Sequence, residues 1–120
     1  MTEMSDKKYY LEERTAKFGE DVIRFRNDMP KNEITRPIVN QMIKRGTSVG
    51  ANYCEADDAE SKADFKHKIG ICKKESREVK HFLRISAVAV PYMKDRARKL
   101  WIEAKELNLI FNSIYKKVKN

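Results

Sequence analysis

The chain has 120 residues, which suits one domain with a single core of modest size. Charged residues make up 37% and apolar residues 41%, with four Gly and three Pro; collagen-like, Pro/Gly-rich and fully disordered classes are thereby excluded. Basic residues outnumber acidic ones by 26 to 18, a formal charge of +8 that admits RNA, DNA or an anionic membrane surface as a partner.

Two cysteines, Cys54 and Cys72, stand inside apolar helical patterns without any CxxC, unlike a secreted disulfide framework. The start, MTEMSDKKYY, lacks the apolar stretch of a signal peptide. The longest apolar run, ISAVAV before Pro91, is far short of the roughly 20 residues that span a bilayer. The expectation is a cytoplasmic protein with reduced thiols and no membrane partner.

Residues 1–8 are polar and are expected to fray. From Leu11 a helical seam begins: Leu11, Thr15, Phe18, Val22, Phe25 and Met29 alternate spacings of four and three, until Asn27, Asp28 and Pro30 end the helix. Lys31–Arg36 reads as a loop, with Thr35 as N-cap of a second helix and Pro37 in its first turn. That helix is expected to reach about Asp58, burying Ile38, Val39, Met42, Ile43, Val49 and Tyr53. Gly46 and Gly50 lie one turn apart in it. A helical Gly costs about 1 kcal/mol relative to Ala, so the pair implies either close approach of another backbone or a local break.

Ser61-Lys62-Ala63-Asp64 has the form of a capping box and opens a third helix. Its seam is Phe65, Ile69, Cys72, Ser76, Val79, Leu83, Ser86 and Val90, and Pro91 stops it. The helix should be about 45 Å long at 1.5 Å per residue. A fourth helix, Asp95–Val118, has the seam Leu100, Ala104, Leu107, Phe111, Ile114 and Val118. Lys116, Lys117 and Lys119 complement the dipole at its end. No stretch alternates with period two. The pattern predicts an all-α chain, residues 1–120 as one antiparallel up-down-up-down four-helix bundle. An intermolecular coiled coil is the rival architecture, and the short, turn-marked connections favour the folded-back bundle.

Nothing in the chain has the pattern of an enzyme site. His67 and His81 stand 14 residues apart on one helix, about 21 Å, and cannot share a metal within a subunit. HEXXH, paired CxxC, EF-hand and Walker-type patterns are missing from the sequence, and no cofactor is implied. Cys54 and Cys72 are expected to pack as small apolar residues. Glu55, Asp57, Asp58, Glu60 and Asp64 cluster at the turn between helices two and three. A carboxylate cluster can hold Mg²⁺ or Ca²⁺, but a solvated turn whose acids favour the next helix N-terminus is the expected reading.

The basic residues carry more information. Lys66, Lys73, Arg77, Lys80 and Arg84 form one stripe along helix three, suited to tracking phosphates. Glu75 and Glu78 stand close by in sequence, where they can pair with the stripe at i±3 or i±4 and make it an ordinary solvated face. Lys94, Arg96, Arg98 and Lys99 form a second group around the start of helix four. Cations oppose the dipole there, which hints at an external anion. Aromatics are not interleaved with these charges along the sequence, as they are in single-strand binders. Off the seams, Ile71 and Ile85, Ile102 and Leu109, and Ile23 imply a second packing surface and self-association.

The segment Arg45–Leu83, RGTSVGANYCEADDAESKADFKHKIGICKKESREVKHFL, resembles the four-helix-bundle family first named for proteins encoded in intervening sequences of 23S ribosomal RNA genes. The likeness rests on Ser48-Val49-Gly50-Ala51-Asn52, Glu55-Ala56, Ser61 with Asp64-Phe65 and Lys68, Lys74-Glu75-Ser76-Arg77-Glu78, and His81-Phe82-Leu83. This specific match covers about a third of the chain, and the family layout is compatible with nearly all of it. The resemblance implies a homo-oligomer, a ring of five subunits. A related branch comprises the basic, pentameric accessory proteins of diversity-generating retroelements, associated with nucleic acid and a reverse transcriptase. No catalytic residue carries over. Within the shared motif, Asn52, Glu55, Ser61 and Asp64 surround one turn and are expected to form a hydrogen-bonded network fixing that corner or a subunit contact.

The function expected is that of a non-enzymatic oligomer binding structured RNA or DNA through phosphates, with low sequence specificity. The alternative is a scaffold docking an acidic protein partner. A metal-dependent enzyme at the acidic turn is a third reading, and it needs ligands from other helices or subunits.

Overall fold

Helix boundaries follow the punctuation in the sequence. The computed structural model describes the backbone of residues 3–119 and the side chains of residues 10–119. It contains α1 (Glu3–Asp28), α2 (Thr35–Asp57), α3 (Lys62–Ala89), a 3₁₀ turn (Pro91–Met93) and α4 (Lys94–Lys117), and no strand among the described residues. Of the residues expected to fray, 1 and 2 lie outside the described residues, and the backbone of 3–8 continues α1.

Ser61 caps α3 as expected, its Oγ accepting from Asp64 N–H at 3.0 Å. The start of α2 differs from expectation. Asn32, not Thr35, supplies the capping oxygen: its Oδ1 accepts from the N–H groups of Ile34 and Thr35, both at 3.0 Å, and its carbonyl accepts from Arg36. Thr35 turns back instead, its Oγ1 donating to the Pro30 carbonyl at 2.6 Å and accepting from Asn32 N–H. Two candidate caps stand three residues apart here, and the loop closes on the earlier one. Val90, which leaves the helical conformation before Pro91, ends α3, because a residue preceding proline is pushed out of the helical region.

The four helices pack against one another as a four-helix bundle. The six residues of the first seam, Leu11 to Met29, are all buried. So are Val39, Met42, Val49 and Tyr53 of α2, the α3 seam from Ile69 to Val90, and Ala104, Leu107 and Phe111 of α4. Ile38, Ile43, Phe65, Leu100, Ile114 and Val118 are half-buried at the margins. Fully burying one such aliphatic or aromatic side chain stabilises by about 1.5–3 kcal/mol. Polar residues on the seam satisfy themselves: Thr15 donates to Leu11 O, Ser76 to Lys73 O and Ser86 to Phe82 O.

The two helical glycines of α2 mark a close approach, and the helix is unbroken. A Cβ on Gly46 would stand 3.1 Å from both γ-methyls of Val22, and one on Gly50 would stand 3.4 Å from the Thr15 backbone. At the α3–α4 contact the register is regular. Lys66 meets Tyr115, Lys73 meets Asn108 and Lys80 meets Trp101, so each step of seven along α3 is matched by seven back along α4. The α1–α4 contact is the slightest of the helix pairs and is bridged by charge. Arg14 donates two bonds of 2.6 Å to the Glu103 carboxylate, and Arg96 reaches Asp28 at 2.7 Å. The Glu103 hydrogen bond and charge hold the Arg14 guanidinium pKa above its ordinary value.

Candidate nucleic-acid interface

Around α3, successive heptad positions divide into three strips: the seam, a flank towards α2 and a flank towards α4. The acids of the helix fall on the α2 flank. Glu75 is buried, and its carboxylate accepts from Arg45 Nη1 of α2 at 3.1 Å. Arg45 Nε also lies 2.9 Å from Glu78 Oε2, off the N–H direction, so that contact is one of charge rather than a hydrogen bond. The expected pairing of Glu75 and Glu78 with the basic stripe is therefore not what forms. An arginine 30 positions away in sequence takes both carboxylates instead.

Lys66, Lys73 and Lys80 fall on the α4 flank, where they meet rings and not carboxylates. The Lys66 and Lys73 ammonium groups stand 4.7 and 4.9 Å from the Tyr115 ring centroid, and Lys80 stands 5.5 Å from that of Trp101. Lys105 of α4, which the sequence reading passed over, approaches Trp101 at 5.5 Å as well. Arg77 and Arg84 are exposed on the outer surface of α3. None of Lys66, Lys73, Arg77, Lys80 or Arg84 has an ion pair among the described residues. Aromatic residues are thus interleaved with the stripe in space, contrary to the expectation from sequence. The rings come from α4, and only the packing of two helices brings them between the lysines. A shallow concavity of about 750 Å³ crosses the outer face of α3, from Arg45 of α2 past Lys74, Arg77 and Glu78 to Lys73 and Tyr115.

The second basic group divides. Arg96 is engaged within the fold, paired with Asp28 and lying 5.6 Å from the Phe25 centroid, so its place at a helix start needs no external anion. Lys94, Arg98 and Lys99 are exposed, again without an ion pair among the described residues. Lys94 and Arg98 share the side of α4 that carries Trp101 and Lys105, whereas Lys99, one heptad before Glu106, falls on the side that meets Arg14 of α1.

The motif residues do not join into one network within the chain. Asn52 Nδ2 donates to Ser48 O at 2.9 Å, Ser61 caps Asp64, and Glu55 meets Lys68 at 3.6 Å. These are three separate local contacts. Among the described residues, no group of three His, Cys, Asp or Glu side chains is placed to hold a metal ion.

The cysteines differ from each other. Cys72 is buried, donates to Val49 O at 3.5 Å, and has its pKa pushed up by burial to about 12. Cys54 is exposed, contrary to the expectation that it packs inside: it sits one position past Tyr53, about 100° around the helix from the seam. Of the off-seam apolar residues, Ile85, Ile102 and Leu109 are exposed, while Ile23 and Ile71 are half-buried. Val88 and Tyr92, beside the α3–α4 turn, are more exposed still, at 77% and 79%.

A model of the family described as 23S rRNA-intervening sequence protein matches residues 7–117. No curated protein matches the chain. Among solved structures, the chain is similar to a protein of unknown function from the S23 ribosomal protein family of Bacteroides thetaiotaomicron. The TM-score is 0.79 at 23% identity, over 92% of this chain and 99% of that one, a likeness of fold. No helix is long and apolar enough to cross a membrane among the described residues.

Proposed function

Because the chain belongs to the family of 23S rRNA-intervening sequence proteins, we propose that it is a non-enzymatic, oligomeric RNA- or DNA-binding protein of the cytoplasm, acting through the α3–α4 edge. One observation carries the reading. Glu75 and Glu78 of α3 are drawn to Arg45 on one flank, and Lys66, Lys73 and Lys80 on the other have no carboxylate partner among the described residues. Arg77, Arg84, Lys94 and Arg98 extend the positive edge, and phosphates are its natural counter-charge. Residues 1–120 act as one unit. The short connections, the reversed α3–α4 register and the Arg96–Asp28 pair support an up-down-up-down, antiparallel order of helices. Exposed Ile85, Ile102 and Leu109 support self-association, in number the five-membered ring of the family resemblance.

The test is anisotropy of a labelled structured RNA over a salt series, with wild type and the Lys66→Glu, Lys73→Glu, Lys80→Glu triple variant. Wild type should bind at low salt with a steep log-affinity slope, about 0.9 for each phosphate neutralised on a duplex. The variant should lose affinity and flatten the slope. Unchanged affinity in the variant at low salt defeats the reading. The second reading, a scaffold for an acidic protein, draws on exposed Val88 and Tyr92 beside Lys94, an apolar and basic patch of the kind protein interfaces use.

A further inference from the structure

The single tryptophan, Trp101, and Tyr115 stand 14 positions apart on α4, both half-buried and packed against the core. Each ring is approached by two ammonium groups, Lys66 and Lys73 at Tyr115, Lys80 and Lys105 at Trp101. One arrangement, a ring approached by two cations, therefore recurs two heptads apart, about 21 Å along the edge.

A surface that only tracks phosphates has no use for such rings. A duplex keeps its bases stacked on one another and offers this edge little beyond phosphate and sugar. An unpaired strand offers base faces as well as phosphates, and single-strand binders combine rings with cations for that reason.

The magnitudes decide which group occupies a ring. An ammonium over a ring at a site open to solvent is worth about a 2- to 5-fold preference. A stacked base is worth about 5- to 150-fold. A base therefore displaces the lysine, whose flexible stem leaves its charge beside the phosphate of the same nucleotide. None of the four lysines has an ion pair among the described residues, so no carboxylate competes for the displaced ammonium.

Resting on the nucleic-acid reading above, we infer that the α3–α4 edge takes an unpaired strand, one base stacked on Trp101 and another on Tyr115, with Lys66, Lys73, Lys80 and Lys105 on the phosphates. Because Trp101 is alone in the chain, its emission reports one stacking position directly.

The experiment titrates the full chain at low salt with oligothymidylate of about 12 nucleotides, within the site sizes of single-strand binders. A fully paired hairpin of equal charge is titrated in parallel. Trp101 emission should be quenched by the strand and not by the hairpin. By anisotropy, Trp101→Leu and Tyr115→Leu should each weaken strand binding about 5- to 150-fold, while Trp101→Phe stays near wild type. Hairpin affinity should stay unchanged in all three. Circular dichroism and melting identify a variant that fails to fold, and the emission arm on unmodified protein stands without the variants. Equal affinity for strand and hairpin with no quenching overturns the inference and leaves phosphate tracking in place. Binding to neither removes the nucleic-acid reading and this inference with it.

Discussion

Arg45 is the residue on which the charge sorting of α3 depends, and replacing it gives a quantitative test. In Arg45→Met the aliphatic bulk is retained, but Glu75, its side chain 7% exposed, loses the cation that compensates its carboxylate. Removing one partner of a buried ion pair costs about 3–5 kcal/mol, because the other charge stays desolvated. The Arg45 side chain is 24% exposed, so some water reaches the site, and the lower figure, about 3 kcal/mol at pH 7, is expected. With a urea slope of about 1–2 kcal/mol per molar, the midpoint should fall by about 1.5–3 M at fixed protein concentration. A double variant, Arg45→Met with Glu75→Met, should recover most of the loss, since an apolar pair can replace a buried ionic one at little cost. A single variant within about 0.5 kcal/mol of wild type, or a double no better than the single, would refute the reasoning.

Three further outcomes are expected. Gly19→Ala should stabilise by about 0.5–1 kcal/mol, because its Cβ meets neighbours only at 3.7 Å, whereas Gly46→Ala should destabilise by about 1–2 kcal/mol by crowding Val22 at 3.1 Å; paired urea melts decide both. A thiol reagent at neutral pH should titrate one cysteine quickly in the native protein, Cys54, and a second, Cys72, only on unfolding; two fast thiols would show that the α2–α3 contact opens readily. Burial raises Tyr53 and Cys72 to about 12 each, so the stability tied to their neutral forms is complete below their unfolded values, about 10 and 8.5, and is lost as the pH rises towards 12. Melting temperature should fall steeply across that alkaline range, and Cys72→Ala should blunt the part of the fall that begins near pH 8.5.

The seams were legible because burial on one helix face imposes a period that survives in sequence, as in Leu11–Met29 and Ile69–Val90. The Ser61 cap was legible because a capping bond spans three residues. The Asn32 cap was not, since Thr35 offers the same chemistry and only the path of the chain from Pro30 decides between them. Cys54 shows the limit of pattern reading: one step along α2 from a buried tyrosine turns the side chain to solvent.

By itself, then, the sequence determined four helices, most of their buried faces, the basic stripe and the family, because each depends on neighbours within a few turns or on a short motif. Tertiary structure alone decided what that stripe faces. Arg45 reaches Glu75 and Glu78 across α2 and α3, and Trp101 and Tyr115 reach the lysines across α3 and α4. Those contacts depend on the register between helices, set by how the seams interlock and where glycines let backbones approach, and a one-dimensional period carries no record of it.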